Sequence, residues 1–600
     1  MDAELSSKAD EWLSWDENES TREAILKLKN ASSWDELRKL LLVRMEFGTA
    51  GLRAKMGPGN SQMNDLTIIQ TTQGLLKYAM ASFEDLKSRG IIVGYDARHN
   101  SSKWALYVAN IFTHAGCPVY LFPNICPTPF VAFGVRHFKT ALGVMVTASH
   151  NPKDDNGYKV YWSNGCQIIS PHDRGISDCI LESLCPEKSS WDISSVRKNP
   201  LCRDPMPELL DAYCKLQKET ICFTPSVNPS SKYVITYTAM HGVGWAFVEK
   251  VFSSFGFPKL LPVVEQVGPD PDFPTVKYPN PEEGPSALNL SFARADSNNS
   301  RFILANDPDA DRLAIAEKQP SGTWKVFSGN EMGALFGWWI WTNWRKRHPN
   351  ADASKVGMVS STVSSKILQT IAESEGFYFE ETLTGFKWMG NRTYALAKEG
   401  IKVLFAFEEA IGFMCSDLVL DKDGIAAAAM MNELVIDTYN QKMTLQQRLE
   451  AIYAQYGRHV SNNSYYFCYE PSKITSMFER IRHWPENPSP AGYPQTLGRF
   501  RIVGVRDLYS GYDDAYPDHK PRLPVSKSSQ CITFRFDNGV NLTIRTSGTE
   551  PKIKYYSEIR SKPGTGRTDE SLAAELQELV DEMVLKMYEP TKNGFVARST

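Results

Sequence analysis

The sequence predicts an α/β protein in which strands and helices alternate along most of the chain and give way to an α+β domain near the C-terminal end. Three stretches carry the alternation. Gly90–Asp96 and Cys117–Phe122 are short apolar runs separated by the helix-like Lys103–His114. The same order recurs as Tyr233–Thr238, Trp245–Phe255 and Lys259–Val264, and again as Val356–Ser360, Lys366–Glu375 and Phe377–Glu381. Such alternation implies mostly parallel sheets covered on both faces, with ligands at the carboxyl ends of strands.

After Tyr465 the pattern changes to strand-like runs at Gln530–Phe536, Val540–Arg545 and Ser557–Ile559, followed by the helical Leu572–Met587. At 600 residues the chain exceeds the size of a single core, and about 150 residues per domain gives about four domains. These are expected at 1–207, 208–325, 326–460 and 461–600. The proline-bearing Asn199–Pro207 is a candidate hinge, and Glu265–Pro285 is expected to wrap the surface of its segment.

Hydrophobic residues make up 42% and charged residues 22%, an ordinary globular balance. A net charge of -3 leaves no basic field, so nucleic acid is not an expected partner. Met1–Ser20 lacks the basic and apolar regions of a signal peptide, and Ala334–Trp344 is about half the ~20 residues a spanning helix needs. A cytoplasmic protein with no membrane segment is expected. Its 11 cysteines include no C-x-x-C pair, which favours reduced thiols.

Four segments carry chemistry. Thr147-Ala148-Ser149-His150-Asn151-Pro152 follows the apolar run Ala141–Val146, so a strand delivers a serine hydroxyl onto a tight turn. His150 adjoins Ser149, and strand neighbours point to opposite faces, which argues against a serine–histidine relay; the glycines of an acyl-hydrolase elbow are also missing. Asp307-Pro308-Asp309-Ala310-Asp311-Arg312 crowds three carboxylates between two apolar runs. Oxygen-only ligands of this kind suit Mg²⁺, whereas Arg312 and Lys318 stand where a calcium loop needs Gly and Glu.

Phe405-Ala406-Phe407-Glu408-Glu409-Ala410 puts two acids at an apolar strand end, where they can grip sugar hydroxyls or neutralise a neighbouring lysine. Arg545-Thr546-Ser547-Gly548-Thr549 offers a guanidinium, hydroxyls and glycine-permitted amides, as a phosphate nest or as a solvated turn. Thr384-Gly385-Phe386-Lys387 and Phe47-Gly48-Thr49-Ala50-Gly51-Leu52-Arg53 are turns presenting a cation. Dinucleotide and Walker-A patterns fail at their glycines and lysine. The combination points to phosphoryl transfer on a sugar. An aspartyl-phosphate phosphatase would also use a D-x-D pair, but Arg312 breaks its continuation.

On these segments the chain resembles the α-D-phosphohexomutase superfamily from Glu46 to Tyr556. Met63–Gly74, Thr147–Trp162, Asp270–Gly284, Glu381–Asn391 and Phe405–Met414 are similar to the eukaryotic phosphoglucomutase-2/phosphopentomutase branch, to which glucose 1,6-bisphosphate synthase is closely related. The resemblance implies a four-domain architecture around a central cleft. It also implies phosphorylation at Ser149, with Mg²⁺ between that phosphate and Asp307, Asp309 and Asp311.

By the same resemblance, Arg53 and Arg312 neutralise transition-state charge, and His150 and Lys387 are the acid and base in an order left open. Glu408 holds sugar hydroxyls, Arg545, Ser547 and Thr549 hold the non-reacting phosphate, and Thr384, Gly385, Gly548 and Lys554 are further substrate-binding residues. A monomer acting on sugar phosphates is expected, with glucose 1,6-bisphosphate or ribose 1,5-bisphosphate as activator. Ala410 stands where many hexomutases have serine, and one lost sugar contact of ~1 kcal/mol fits a pentose phosphate.

Overall fold

The computed structural model describes residues 2–283, 285–486, 488–527, 529–547 and 551–598. Two compact units account for the chain: Met1–Met332 with Trp339–Gly357 and Gly385–Leu445, and Gly333–Trp338 with Met358–Thr384 and Gln446–Thr600.

The first unit opens with helices Asp2–Trp15, Glu19–Asn30 and Trp34–Leu41, whose Leu5, Trp12, Ile25 and Leu37 share a small core with Leu66. A six-stranded sheet follows in the order Leu52–Lys55, Asp155–Trp162, Leu142–Val146, Ile91–Tyr95, Val119–Leu121 and Cys202–Arg203. Its first two pairings are antiparallel and the remaining three parallel.

Strand alternation explains the covering on both faces. Ile91, Val93 and Tyr95 join the core of helix Ser101–His114 through Trp104, Val108 and Phe112. Ile92 points the other way, and its Cδ1 lies 2.3 Å from where a Cβ on Gly134 of helix Thr128–His137 would be. The candidate hinge at Asn199–Pro207 is instead tied into this sheet, because Cys202 and Arg203 pair in parallel with Val119 and Tyr120. A two-residue edge strand is too short to leave a periodic signal.

The second sheet runs Trp324–Val326, Leu313–Lys318, Phe302–Asn306, Ile235–Thr238 and Leu261–Pro262, with two antiparallel and then two parallel pairings. The strand expected at Lys259–Val264 shrinks to Leu261–Pro262 because Pro262 has no N–H to donate. Lys402–Glu408 and Gly412–Met414 form an antiparallel hairpin in this unit.

The second unit holds most of strand Val356–Ser361, then helix Ile367–Glu375 and strand Tyr378–Thr382. Its large sheet is antiparallel throughout, from Thr496–Leu497 through Phe500–Asp507, Cys531–Phe536, Val540–Thr546, Lys552–Ser561 and Arg458–Phe467 to Val596–Ala597. Helices Pro471–Arg482 and Asp569–Met583 pack on it through Phe478, Ile481, Leu572, Leu576 and Leu579. This is the expected α+β segment. Ser557–Ile559 is the middle of a longer strand, and the expected helix Leu572–Met587 starts earlier, behind a capping box between Thr568 and Ser571.

Positions 207, 325 and 460, where the sequence places domain boundaries, lie inside Met206–Ile221, Trp324–Val326 and Arg458–Phe467. No described helix is long and apolar enough to cross a membrane.

Candidate active site

Strand Leu142–Val146 is buried along its whole length and ends at the serine turn. Ser149 has φ 55°, a left-handed conformation that a non-glycine residue adopts only when its surroundings hold it there. The holding group is Arg98. Its guanidinium donates to the carbonyls of Ser149 (2.6 Å), Asn151 (2.6 Å), Pro152 (2.8 Å) and Asp155 (3.2 Å). Asp96, buried beside it, accepts from Thr147 Oγ1 at 2.6 Å and Ser101 Oγ at 2.8 Å, and the Ser149 N–H donates to Thr147 Oγ1 at 2.9 Å.

The left-handed turn corrects one expectation. Ser149 Oγ lies 3.3 Å from His150 Nδ1, so the two neighbours share a side and do not point apart. Strand alternation does not apply, because the strand has ended at Val146. Burial first, then the positive charges of Arg312 and Arg53, push the His150 imidazole well below its ordinary pKa and hold it neutral.

Ser149 Oγ also donates to Asp307 Oδ2 at 3.1 Å, across 158 residues of sequence. Asp307, Asp309 and Asp311 are fully buried and offer ligand atoms within 4.8 Å of one another. Their loop joins two antiparallel strands, turning at Ala310 with φ 54°. Asp309 and Asp311 are each fixed on one side. Lys159 Nζ donates to Asp309 Oδ2 at 2.8 Å and Asp311 Oδ2 at 3.3 Å; Thr128 Oγ1 also donates to Asp309 Oδ2, at 2.6 Å. Lys422 Nζ lies 3.3 Å from Asp311 Oδ2.

The other oxygens, Asp309 Oδ1 and Asp311 Oδ1, are buried without a hydrogen-bond partner. Buried anionic oxygens left bare are costly, so this donor set fits a hard divalent cation. Burial and then its two acidic neighbours drive the Asp307 pKa well above the carboxylate range. Against the same burial, Lys159 and Thr128 hold Asp309 far below it.

Arg53 sits on strand Leu52–Lys55, paired opposite Gly157, and donates to Asn151 Oδ1 at 3.2 Å. Its turn needs glycine at position 51, where φ is 72° and a Cβ would lie 1.8 Å from the Tyr158 carbonyl oxygen. Arg312 donates its N–H to Asp307 Oδ1 at 2.9 Å and its guanidinium to the Ala410 carbonyl at 3.0 Å. The aspartate loop is thereby joined to the acidic strand end.

Glu408 ends strand Lys402–Glu408, 7% exposed, and its carboxylate makes no hydrogen bond to any described residue. Burial pushes its pKa up to about 7, against the pull of Lys422 and Arg312. The ion pairs of Lys422 within 4 Å go to Asp311 and Asp421, and its charge reaches Glu408 only at longer range.

Gly385, with φ 105°, caps helix Phe386–Lys398 directly after Thr384. Lys387 Nζ donates to Thr49 Oγ1, and burial lowers its pKa. Phe386 faces the Lys422 ammonium at 5.5 Å.

In the second unit, Arg545 and Lys554 are partners across strands Val540–Thr546 and Lys552–Ser561, and the Ser547 N–H donates to the Lys552 carbonyl at 2.9 Å. Arg545 reaches Tyr556 OH at 3.4 Å. Gly548 and Thr549 lie outside the described residues.

The structure thus gathers Ser149, His150, Arg53, the three aspartates, Arg312 and Glu408 into one unit. It adds Arg98, Thr128, Lys159 and Lys422, which the sequence reading missed. Lys159 could have been noticed as the one charged residue inside the run Tyr158–Trp162, whose interior is buried.

The chain is similar to known proteins along most of its length. Three successive models of the phosphoglucomutase/phosphomannomutase family match the chain: alpha/beta/alpha domain I at residues 44–184, domain II at 211–322 and domain III at 328–456. The phosphopentomutase of Homo sapiens is 52% identical over 98% of this chain and 97% of its own. The glucose 1,6-bisphosphate synthase of Homo sapiens is 49% identical over 100% of this chain and 96% of its own.

The crystal structure of the exocytosis-sensitive phosphoprotein pp63/parafusin (phosphoglucomutase) from Paramecium, in its open form, shares the fold at 18% identity. Its TM-score is 0.64, covering 91% of this chain and 96% of the other. On three matched domains and relatives similar along nearly its whole length, the chain belongs to the phosphoglucomutase/phosphomannomutase family of the α-D-phosphohexomutase superfamily.

Proposed function

We propose that this protein is a phosphoserine mutase. It interconverts ribose or deoxyribose 1-phosphate with the 5-phosphate, and glucose 1-phosphate with the 6-phosphate, through a sugar bisphosphate. The observation that carries the reading is Ser149 Oγ at 3.1 Å from Asp307, beside buried carboxylate oxygens that lack a partner. Asp307, Asp309 and Asp311, with the phosphate on Ser149, would hold Mg²⁺, which when bound offsets charge on the phosphoryl group.

The phosphoryl group leaves Ser149 Oγ as a bond forms from phosphorus to the free hydroxyl of the sugar monophosphate. That hydroxyl's proton passes to His150 or Lys387, and the serine oxygen is reprotonated in return. The bisphosphate then turns over and gives its other phosphate back to Ser149. Arg53 and Arg312 offset charge on the phosphoryl oxygens, and Glu408 accepts hydrogen bonds from vicinal hydroxyls. Thr384, Gly385, Arg545, Ser547, Gly548, Thr549 and Lys554 bind the substrate and its resting phosphate.

Glucose 1,6-bisphosphate or ribose 1,5-bisphosphate loads the serine. The enzyme works as a cytoplasmic monomer. Parallel assays with ribose 1-phosphate and glucose 1-phosphate test the reading: isomerisation of both is expected, and turnover of neither contradicts it.

The similarity to glucose 1,6-bisphosphate synthase supports a second reading, net synthesis of sugar bisphosphate. Bisphosphate accumulating in place of isomerised monophosphate would favour it.

A further inference from the structure

We propose that the proline-rich segment 270–283 is a strap that fixes the catalytic geometry, with Phe273 and Glu282 as positioning residues for the phosphoryl transfer proposed above. The segment is rooted on the loop after strand Ile235–Thr238. The Asp270 N–H donates to the His241 carbonyl at 2.9 Å, and Thr275 Oγ1 meets His241 Nε2 at 2.7 Å and accepts from Gln266 Nε2 at 2.9 Å. From that root it reaches the two arginines on which the site depends.

Phe273 is 3% exposed and adopts φ 46°. A buried aromatic residue in the left-handed region is strained, and the strain is tolerated only where something else holds the ring in place. The ring lies 5.0 Å from the Arg98 guanidinium carbon. This is the guanidinium that grips the Ser149, Asn151, Pro152 and Asp155 carbonyls. A desolvated cation over a ring face is attracted and confined to one plane, so the ring limits how far Arg98, and with it the serine turn, can shift.

Beside it, Asp272 Oδ1 accepts from Lys153 Nζ at 3.1 Å, just past the same turn. At the other end of the strap, Glu282 Oε2 lies 3.7 Å from Arg312 Nη1, while Arg312 Nε lies 3.9 Å from Asp311 Oδ1. One segment therefore braces the residue proposed to carry phosphate and an arginine proposed to offset its charge. Both braces act on arginine side chains.

The test is single-turnover transfer of ³²P from a labelled sugar bisphosphate to Ser149 in wild-type protein, Phe273→Leu and Glu282→Gln, alongside KM for glucose 1-phosphate and the melting temperature. Leucine keeps the apolar contact and removes the ring face. Loading about tenfold slower in Phe273→Leu, with KM within about twofold, is expected of a group that orients the reacting serine. A few-fold slowing is expected in Glu282→Gln, whose side chain is 43% exposed and puts folding at little risk.

Wild-type loading rates in both folded variants overturn the strap, as does a rate loss that only follows the unfolded fraction. If Phe273→Leu does not fold, Glu282→Gln decides alone. Wild-type protein that takes up no label overturns the mutase reading itself, a result distinct from equal loading in wild type and variants.

Discussion

Lys159 donates to Asp309 Oδ2 at 2.8 Å and so ties down one oxygen of a carboxylate whose other oxygen is buried without a partner. The pair lies in a fully buried cluster of three aspartates, where breaking an ion pair leaves a bare charge costing about 3–5 kcal/mol. Replacing Lys159 with Met should therefore destabilise the metal-free protein by that amount. Added Mg²⁺ should recover more stability in the variant than in wild type, because the cation then faces an uncompensated site. Melting temperatures with EDTA and with Mg²⁺ measure this; equal Mg²⁺ stabilisation in the two proteins would refute the paired-oxygen account.

Glu408 has its pKa raised to about 7 by burial, and only the ionised form can accept hydrogen bonds at both oxygens. As pH falls through about 7 the carboxylate takes up a proton, so KM for sugar phosphate should rise on the acid side. Glu408→Gln should have a raised KM that no longer changes over the same range. A variant retaining the wild-type KM profile would remove Glu408 from the sugar site.

Glu381 pairs with Lys366 and with Arg506 at 3.3 Å, and these cations hold its pKa near about 2 despite the cost of burial. A depressed folded-state value adds stability that is fully present above the unfolded value of about 4.3 and is lost as pH falls through about 2. The contribution is about 3 kcal/mol. Urea unfolding from pH 6 to 2 should show this loss in wild type and a shallower one in Glu381→Gln; parallel slopes would show that the pairing contributes nothing.

Most of the residues that the structure gathers were legible because they sit where turn residues interrupt apolar runs. Ser149 and the Asp307–Arg312 loop follow buried strands and Glu408 ends one, and each motif is local. What stayed hidden depends on contacts across long sequence separations. Lys159 reaches Asp309 across 150 residues, and Thr128 reaches it across 181. Arg98 acts on backbone carbonyls 51 to 57 residues away, which no pattern of side chains announces.

His150 was misplaced because alternation was extended one turn beyond the strand's end. The Asn199–Pro207 hinge failed for the opposite reason, since prolines marked a loop that carries a two-residue strand. The first three helices belong to neither set: their apolar residues close a core with Leu66, which lies on the later helix Asp65–Ser82.

Arg545→Ala should mainly raise KM for both substrates, by about tenfold for a lost charge-assisted contact to phosphate, with part of the loss in kcat because remote binding orients the reacting hydroxyl. Steady-state kinetics on ribose 1-phosphate and glucose 1-phosphate would show it. Unchanged KM with full activity would remove Arg545 from the phosphate cradle.

The central claim is that Ser149 carries the phosphate, and incubation with a ³²P-labelled sugar bisphosphate tests it most directly. Label should appear on the peptide containing Ser149, resist acid, yield to alkali and return to added sugar monophosphate, while Ser149→Ala takes up none and loses isomerisation. Label on Asp307 or Asp309, cleaved by hydroxylamine, or substantial mutase activity in the alanine variant, would contradict it.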